Sequence, residues 1–88
     1  MPDLQTSRPA VGRIVHYFVA DARGTLIPRP AIVVQAVMIA GECFATLFVM
    51  EPGFPGVADG ETYFERAVRY SSTPEIHCWS WPPGEAMP

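Results

Sequence analysis

The chain reads as an all-β protein, a small five-stranded barrel of SH3-like or OB-like type, and three observations carry that reading. Its 88 residues contain four runs of eight to ten residues rich in β-branched and aromatic side chains, plus a short one near the end. Segments dense in Pro and Gly separate most of these runs. Two of the runs are joined only by Gly41-Glu42, the spacing of a tight hairpin. Short strands with breaker-rich connections in so short a chain predict a small closed sheet.

Taken in order, residues 1–9 are polar and bounded by Pro2 and Pro9, and read as a flexible tail; residues 10–84 form the single domain. "VGRIVHYFVA" (11–20) is a strand. "DARGTLIPRP" (21–30), with one Gly and two Pro, reads as a loop. "AIVVQAVMIA" (31–40) and "CFATLFVM" (43–50) are the hairpin strands, with a positive φ expected at the first turn residue, Gly41. "EPGFPGVADG" (51–60) is too rich in breakers to be regular. "ETYFERAVRY" (61–70) fits a helix capped by Asp59, but its aromatic content favours a strand. "IHCWSW" (76–81) is a last strand stopped by Pro82-Pro83, which places His77, Trp79 and Trp81 on one face.

The hairpin is unusual in being apolar on both faces. Cys43, Ala45, Leu47 and Val49 alternate with Phe44, Thr46, Phe48 and Met50, while Ile32, Val34, Ala36 and Met38 alternate with Val33, Gln35, Val37 and Ile39. A sheet with one wet face alternates apolar with polar; here Gln35 and Thr46 are the only interruptions. A domain of this size hides about 60–65% of its unfolded surface, too little to absorb 49% hydrophobic residues. The second face therefore packs on another subunit or lines a ligand pocket.

Composition excludes several classes. The net charge is −3 and no basic stripe is visible, which argues against duplex nucleic acid. No apolar stretch reaches about 18 residues, so no membrane helix is expected, and "MPDLQTSRPAVG" lacks the basic start and apolar run of a secretory signal. Cys43 and Cys78 are then expected to be reduced, in a cytoplasm. All six basic residues are Arg; a GC-rich genome explains that by default, although guanidinium forks also suit phosphate.

No arrangement points to catalysis, a metal or a cofactor. His77 and Cys78 diverge in a strand, Cys-x-x-Cys and paired His spacings are absent, and Asp59, Glu61 and Glu65 read as solvated charge. The candidate ligand contacts are Arg13, His16, Tyr17, Phe48, Tyr63, Arg66, Arg69, His77, Trp79 and Trp81. Arg66 and Arg69, flanked by Tyr63 and Tyr70, suit a phosphate clamp with a stacked base, or snorkelling surface arginines. His16 suits an edge or core histidine as well as a ligand contact. Trp79 and Trp81 suit a core or subunit interface as well as a stacking platform.

"VGRIVHY", "AIVV" after a Pro-containing loop, and the closing Trp79-x-Trp81-Pro82 resemble small proteins of tailed bacteriophages and of prophages in GC-rich bacteria. That resemblance implies a phage origin and a compact β fold, and supplies no activity; with the cytoplasm expected above, the host cytoplasm is the expected location. By analogy of size, oligomeric tendency and fold class, such a chain is similar to phage anti-defence sponges, oligomers that trap nucleotide immune signals. The expectation is a non-catalytic homo-oligomer that holds a cyclic nucleotide or ADP-ribose-type ligand between subunits. The alternative is an adaptor that binds a host or phage protein without a small ligand.

Overall fold

β-branched and aromatic residues form strands where expected, and in one place where they were not. The computed structural model describes residues 8–53, 56 and 60–84. Its strands are β1 (Ile14–Ala20), β2 (Leu26–Ile39), β3 (Glu42–Glu51), β4 (Glu61–Tyr70) and β5 (Cys78–Ser80). Neighbours in sequence are neighbours in the sheet, and β5 returns to β1, so the five strands close into a ring. Every ladder is antiparallel except the short parallel contact between β4 and β5. The segment 61–70 is a strand and not a helix; Asp59, the cap considered for that helix, lies outside the described residues, as do parts of the 51–60 loop.

The expected loop 21–30 is half strand. Asp21 compresses the turn, its Oδ1 accepting from the backbone N–H of Arg23 (2.8 Å) and of Thr25 (2.9 Å). Strand β2 then begins at Leu26 and runs through Pro28 and Pro30. Those prolines are tolerated because Leu26–Pro30 pairs with β1 alone, and their missing N–H groups, two residues apart, fall on one side of the strand.

The hairpin turn is one residue earlier than its sequence suggests. Ile39 pairs with Glu42, and the turn residues are Ala40 (φ 52°) and Gly41 (φ 82°), both left-handed, as in a type I′ turn. An L-residue with a Cβ costs about 1–2 kcal/mol there. Ala40→Gly or Ala40→Asn is therefore expected to raise the urea midpoint, by about 0.5–1 kcal/mol of stability after allowing for the freer unfolded chain. An unchanged or lower midpoint would refute the turn assignment.

Two β-bulges break the simple alternation. On β2 the register shifts between Val33 and Gln35, so the core-side residues run Ala31, Val33, Ala36, Met38, not Val33, Gln35, Val37, Ile39 or its complement. On β4, Ala45 pairs with Val68 but Leu47 pairs with Glu65, leaving Arg66 and Ala67 opposite Thr46; Ala67 has φ 55°. Both irregularities converge on Thr46 from either side.

Inside the ring lie Val15, Tyr17, Ala31, Val33, Cys43, Ala45, Leu47, Val49, Val68 and Trp79. Pro9, at the end of the expected tail 1–9, is buried; residues 1–7 lie outside the described set. The last strand is shorter than "IHCWSW" predicted. His77 has φ 61° and is exposed, so it does not continue the alternation of Trp79 and Trp81. No helix among the described residues is long and apolar enough to cross a membrane.

Candidate functional site

The sequence candidates separate into two groups. One gathers at the seam where β5 closes the ring. The guanidinium of Arg13 sits 5.0 Å above the Trp81 ring centroid, Trp81 meets Trp79 edge-on at 5.6 Å, and Trp79 meets Tyr70 at 4.9 Å. Trp79 is 1% exposed. The row is thus anchored in the core, and its open end is the half-buried Arg13–Trp81 pair. The indole N–H groups of both tryptophans are buried without an acceptor among the described residues. Tyr17 is buried beneath His77, their rings 6.3 Å apart and 26° from parallel, and His16 packs edge-on to Phe18.

The phosphate clamp expected on the fourth strand is not assembled as expected. The bulge at Arg66-Ala67 keeps Arg66 and Arg69 on the outer side of β4, while Tyr63 and Tyr70 pack against the core. Arg69 is also engaged, 3.6 Å from Glu75 and 3.7 Å from Cys78 Sγ. Ser71 Oγ, which lies 2.7 Å from the Thr73 carbonyl, is 2.8 Å from Glu75 Oε2, so this cluster holds the connection between β4 and β5. Tyr63 and Tyr70 are thus half-buried against the core, on the face of β4 opposite the two arginines.

The second group lies on the outer face of β2, β3 and β4. Phe48 pairs across strands with Phe64, centroids 5.1 Å apart, and Phe64 is 58% exposed. Beside them run two adjoining grooves. One, of about 370 Å³, is lined by Gln35, Val37, Ile39, Phe44, Thr46 and Ala67. The other, of about 360 Å³, is lined by Val34, Gln35, Thr46, Phe64 and Arg66. Gln35 and Thr46 border both, and they are cross-strand partners. A bulge bends its strand, and bulges on both neighbours of Thr46 leave a short side chain between two displaced backbones.

Gln35, Thr46, Phe64 and Ala67 were not among the ligand contacts expected from sequence. A signal was present, because Gln35 and Thr46 are the only polar residues in the runs 31–40 and 43–50. Only the bulge in β2 places them opposite each other, and a strict alternation does not reveal it. Arg66 makes no ion pair among the described residues, whereas Arg29 lies 2.9 Å from Glu51 and Arg69 is held by Glu75.

Burial and charge act on the buried protons in one direction. The Tyr17 hydroxyl donates to Glu65 Oε2 at 2.7 Å; burial first, and then that carboxylate, hold its pKa far above the usual phenol range. Burial also raises Tyr63, and it raises the thiols of Cys43 and Cys78, the last against the opposing pull of Arg69. Each group is neutral in the fold, while the unfolded chain loses thiol protons near about pH 8.5 and phenol protons near about pH 10. The folded state then binds more protons, and stability falls as pH rises. Melting temperature is expected to drop steadily from about pH 9 to 11, and Tyr17→Phe to flatten the part above about pH 10. A curve that stays level through that range would contradict the burial of these groups.

Among the described residues, no group of three or more His, Cys, Asp and Glu side chains is placed to hold a metal ion, and both cysteines are free and buried. No family model matches the chain, and neither the curated proteins nor the solved structures contain a detectable relative.

Proposed function

We propose that the protein is a non-catalytic, homo-oligomeric binding module of SH3-like build that sequesters a small nucleotide-like molecule on the outer face of β2–β3–β4. One observation carries this reading: the Gln35–Thr46 pair borders two adjoining grooves, one otherwise apolar and the other lined by Phe64 and Arg66. Ligand sites combine apolar walls with a few placed polar groups. Here Phe44, Phe64 and Val37 offer walls to a flat ring, and Gln35 and Thr46 offer donors and acceptors to its polar edge. Arg66, which makes no ion pair among the described residues, offers its guanidinium to a phosphate. The SH3-like build is supported by the strictly sequential strand order, since an OB-like barrel is a Greek key with a non-sequential neighbour.

This reading keeps Arg66 and Phe48 near the ligand and moves the centre of the site away from Trp79, Tyr63 and Tyr70. Arg13 and Trp81 remain a secondary surface. A phage-encoded sponge in a host cytoplasm fits such a module, with immune nucleotides as its ligands. Titration calorimetry against cyclic dinucleotides, cyclic oligoadenylates and ADP-ribose derivatives tests it. Binding by the wild type, weakened about tenfold or more in Arg66→Ala and in Gln35→Ala, is the expected result. Absence of heat with every compound, or equal binding by Arg66→Ala, would remove the basis for the reading.

A further inference from the structure

We propose that two copies join edge to edge through the second half of β2, antiparallel about a two-fold axis, so that the sheet runs from one protomer into its partner. The proposal rests on the oligomeric reading above and specifies its seam. It begins from backbone accounting. Among the described residues the three longest stretches with a sheet neighbour on one side only are Leu26–Pro30 beside β1, and Gln35–Ile39 and Glu61–Val68 beside β3. Free edges invite pairing with other chains, and proteins blunt those that must stay free with Pro, charge or a bulge.

Two of the three edges are blunted. Leu26–Pro30 carries Pro28, Arg29 and Pro30. Glu61–Val68 carries Glu61, Glu65 and Arg66, and its bulge falls at Arg66-Ala67. Gln35–Ile39 has none of these devices: neither proline nor charge occurs between Ala31 and Gly41, and the β2 bulge precedes the stretch. The segment is also apolar on both sides. Val37 (38% exposed) and Ile39 (58%) project from the outer side, and Met38 (39%) from the other. An added strand covers both sides at once, which a partner packed on one face does not.

A second copy of the same segment is the occupant its chemistry fits. Antiparallel pairing about a two-fold axis sets each residue against one from the same stretch, so a charge at or beside the axis would meet its own copy directly or on the diagonal. An uncharged run from Ala31 to Gly41 removes that penalty in every register. Val, Met and Ile side chains meeting across the seam are stabilising cross-strand pairs. Gln35, Val37 and Ile39 also line the larger groove. The partner's β2 then supplies a wall on that side, and the groove becomes an intersubunit site.

Size-exclusion chromatography with light scattering on the full chain, combined with amide hydrogen exchange, tests this. The wild type is expected to be dimeric, or a multiple of dimers, with slowed exchange across residues 35–39. Val37→Lys is expected to weaken self-association about tenfold or more and to release that protection, whereas Phe64→Lys, on β4 across the outer face, leaves both unchanged. Ile39→Lys repeats the test should the Val37 variant fail to fold. A monomeric wild type overturns both the seam and the oligomeric reading. A wild-type oligomer that Phe64→Lys dissociates, or that Val37→Lys and Ile39→Lys leave intact, overturns the edge seam alone.

Discussion

Trp79→Ala is expected to remove about 3–5 kcal/mol of stability, the usual cost of deleting a fully buried large aromatic. Against a total of about 5–15 kcal/mol for a small domain, that is enough to abolish a cooperative urea transition at room temperature in a marginal case. The reason is positional as well as volumetric. Trp79 pairs with Tyr17 on β1 and with Tyr70 on β4, and its ring packs against Tyr70 and Trp81. Trp81→Ala, at a half-buried position under Arg13, is expected to cost about 1–2 kcal/mol, part of it from the lost cation–π contact. Trp79→Phe removes volume but also an indole N–H that has no acceptor among the described residues, so its loss should fall well below that of the Ala variant. Equal urea midpoints for Trp79→Ala and Trp81→Ala would sink the core assignment of Trp79.

Leu47→Ala and Phe48→Ala, one residue apart on β3, are expected to fail in different ways. Leu47 is fully buried between Val33 and Glu65, and its truncation should cost about 2–5 kcal/mol. Phe48 is half-buried on the outer face, between Ile32 and Phe64. Its truncation should cost only about 1–2 kcal/mol, while ligand binding in the adjoining groove weakens. Paired denaturation and titration experiments separate the two outcomes. A larger stability loss at Phe48 than at Leu47 would invert the two faces of the strand.

Much of this fold was legible in the chain because side-chain chemistry and strand period agree. The strand period of 43–50 holds, with Cys43, Ala45, Leu47 and Val49 the face that turns inward, a choice that two apolar faces left open, and the aromatic-rich segment 61–70 is a strand. What was not legible is set by single residues. A bulge is one extra residue in one strand, and Val34 looks like any other valine in an apolar run. From that one shift follow the pairing of Gln35 with Thr46 and the groove beside it. Leu26–Pro30 was hidden for another reason: prolines signal loops unless the strand is an edge, and edge status depends on tertiary neighbours. The left-handed His77 likewise gives no local sign, since neither Gly nor Asn occupies the position. The candidate contacts read from sequence accordingly fall in two places, Arg13, Trp79 and Trp81 at the seam and Phe48 and Arg66 on the outer face, and the Gln35–Thr46 pair between two grooves was not among them.

The way the ring closes also has a kinetic consequence. Three antiparallel ladders join strands adjacent in sequence, and such local pairings form with little loop entropy to overcome. The closing ladder is two pairs long, His16 with Ser80 and Tyr17 with Trp79, and its partners are more than sixty residues apart in the chain. Folding should therefore run from a four-stranded meander to the ring, with the arrival of β5 as the late step. Because Trp79 rides on that strand, stopped-flow tryptophan fluorescence reports the event directly. Substitutions at Trp79 should accelerate unfolding far more than they slow folding, and the reverse partition would place closure in the nucleus.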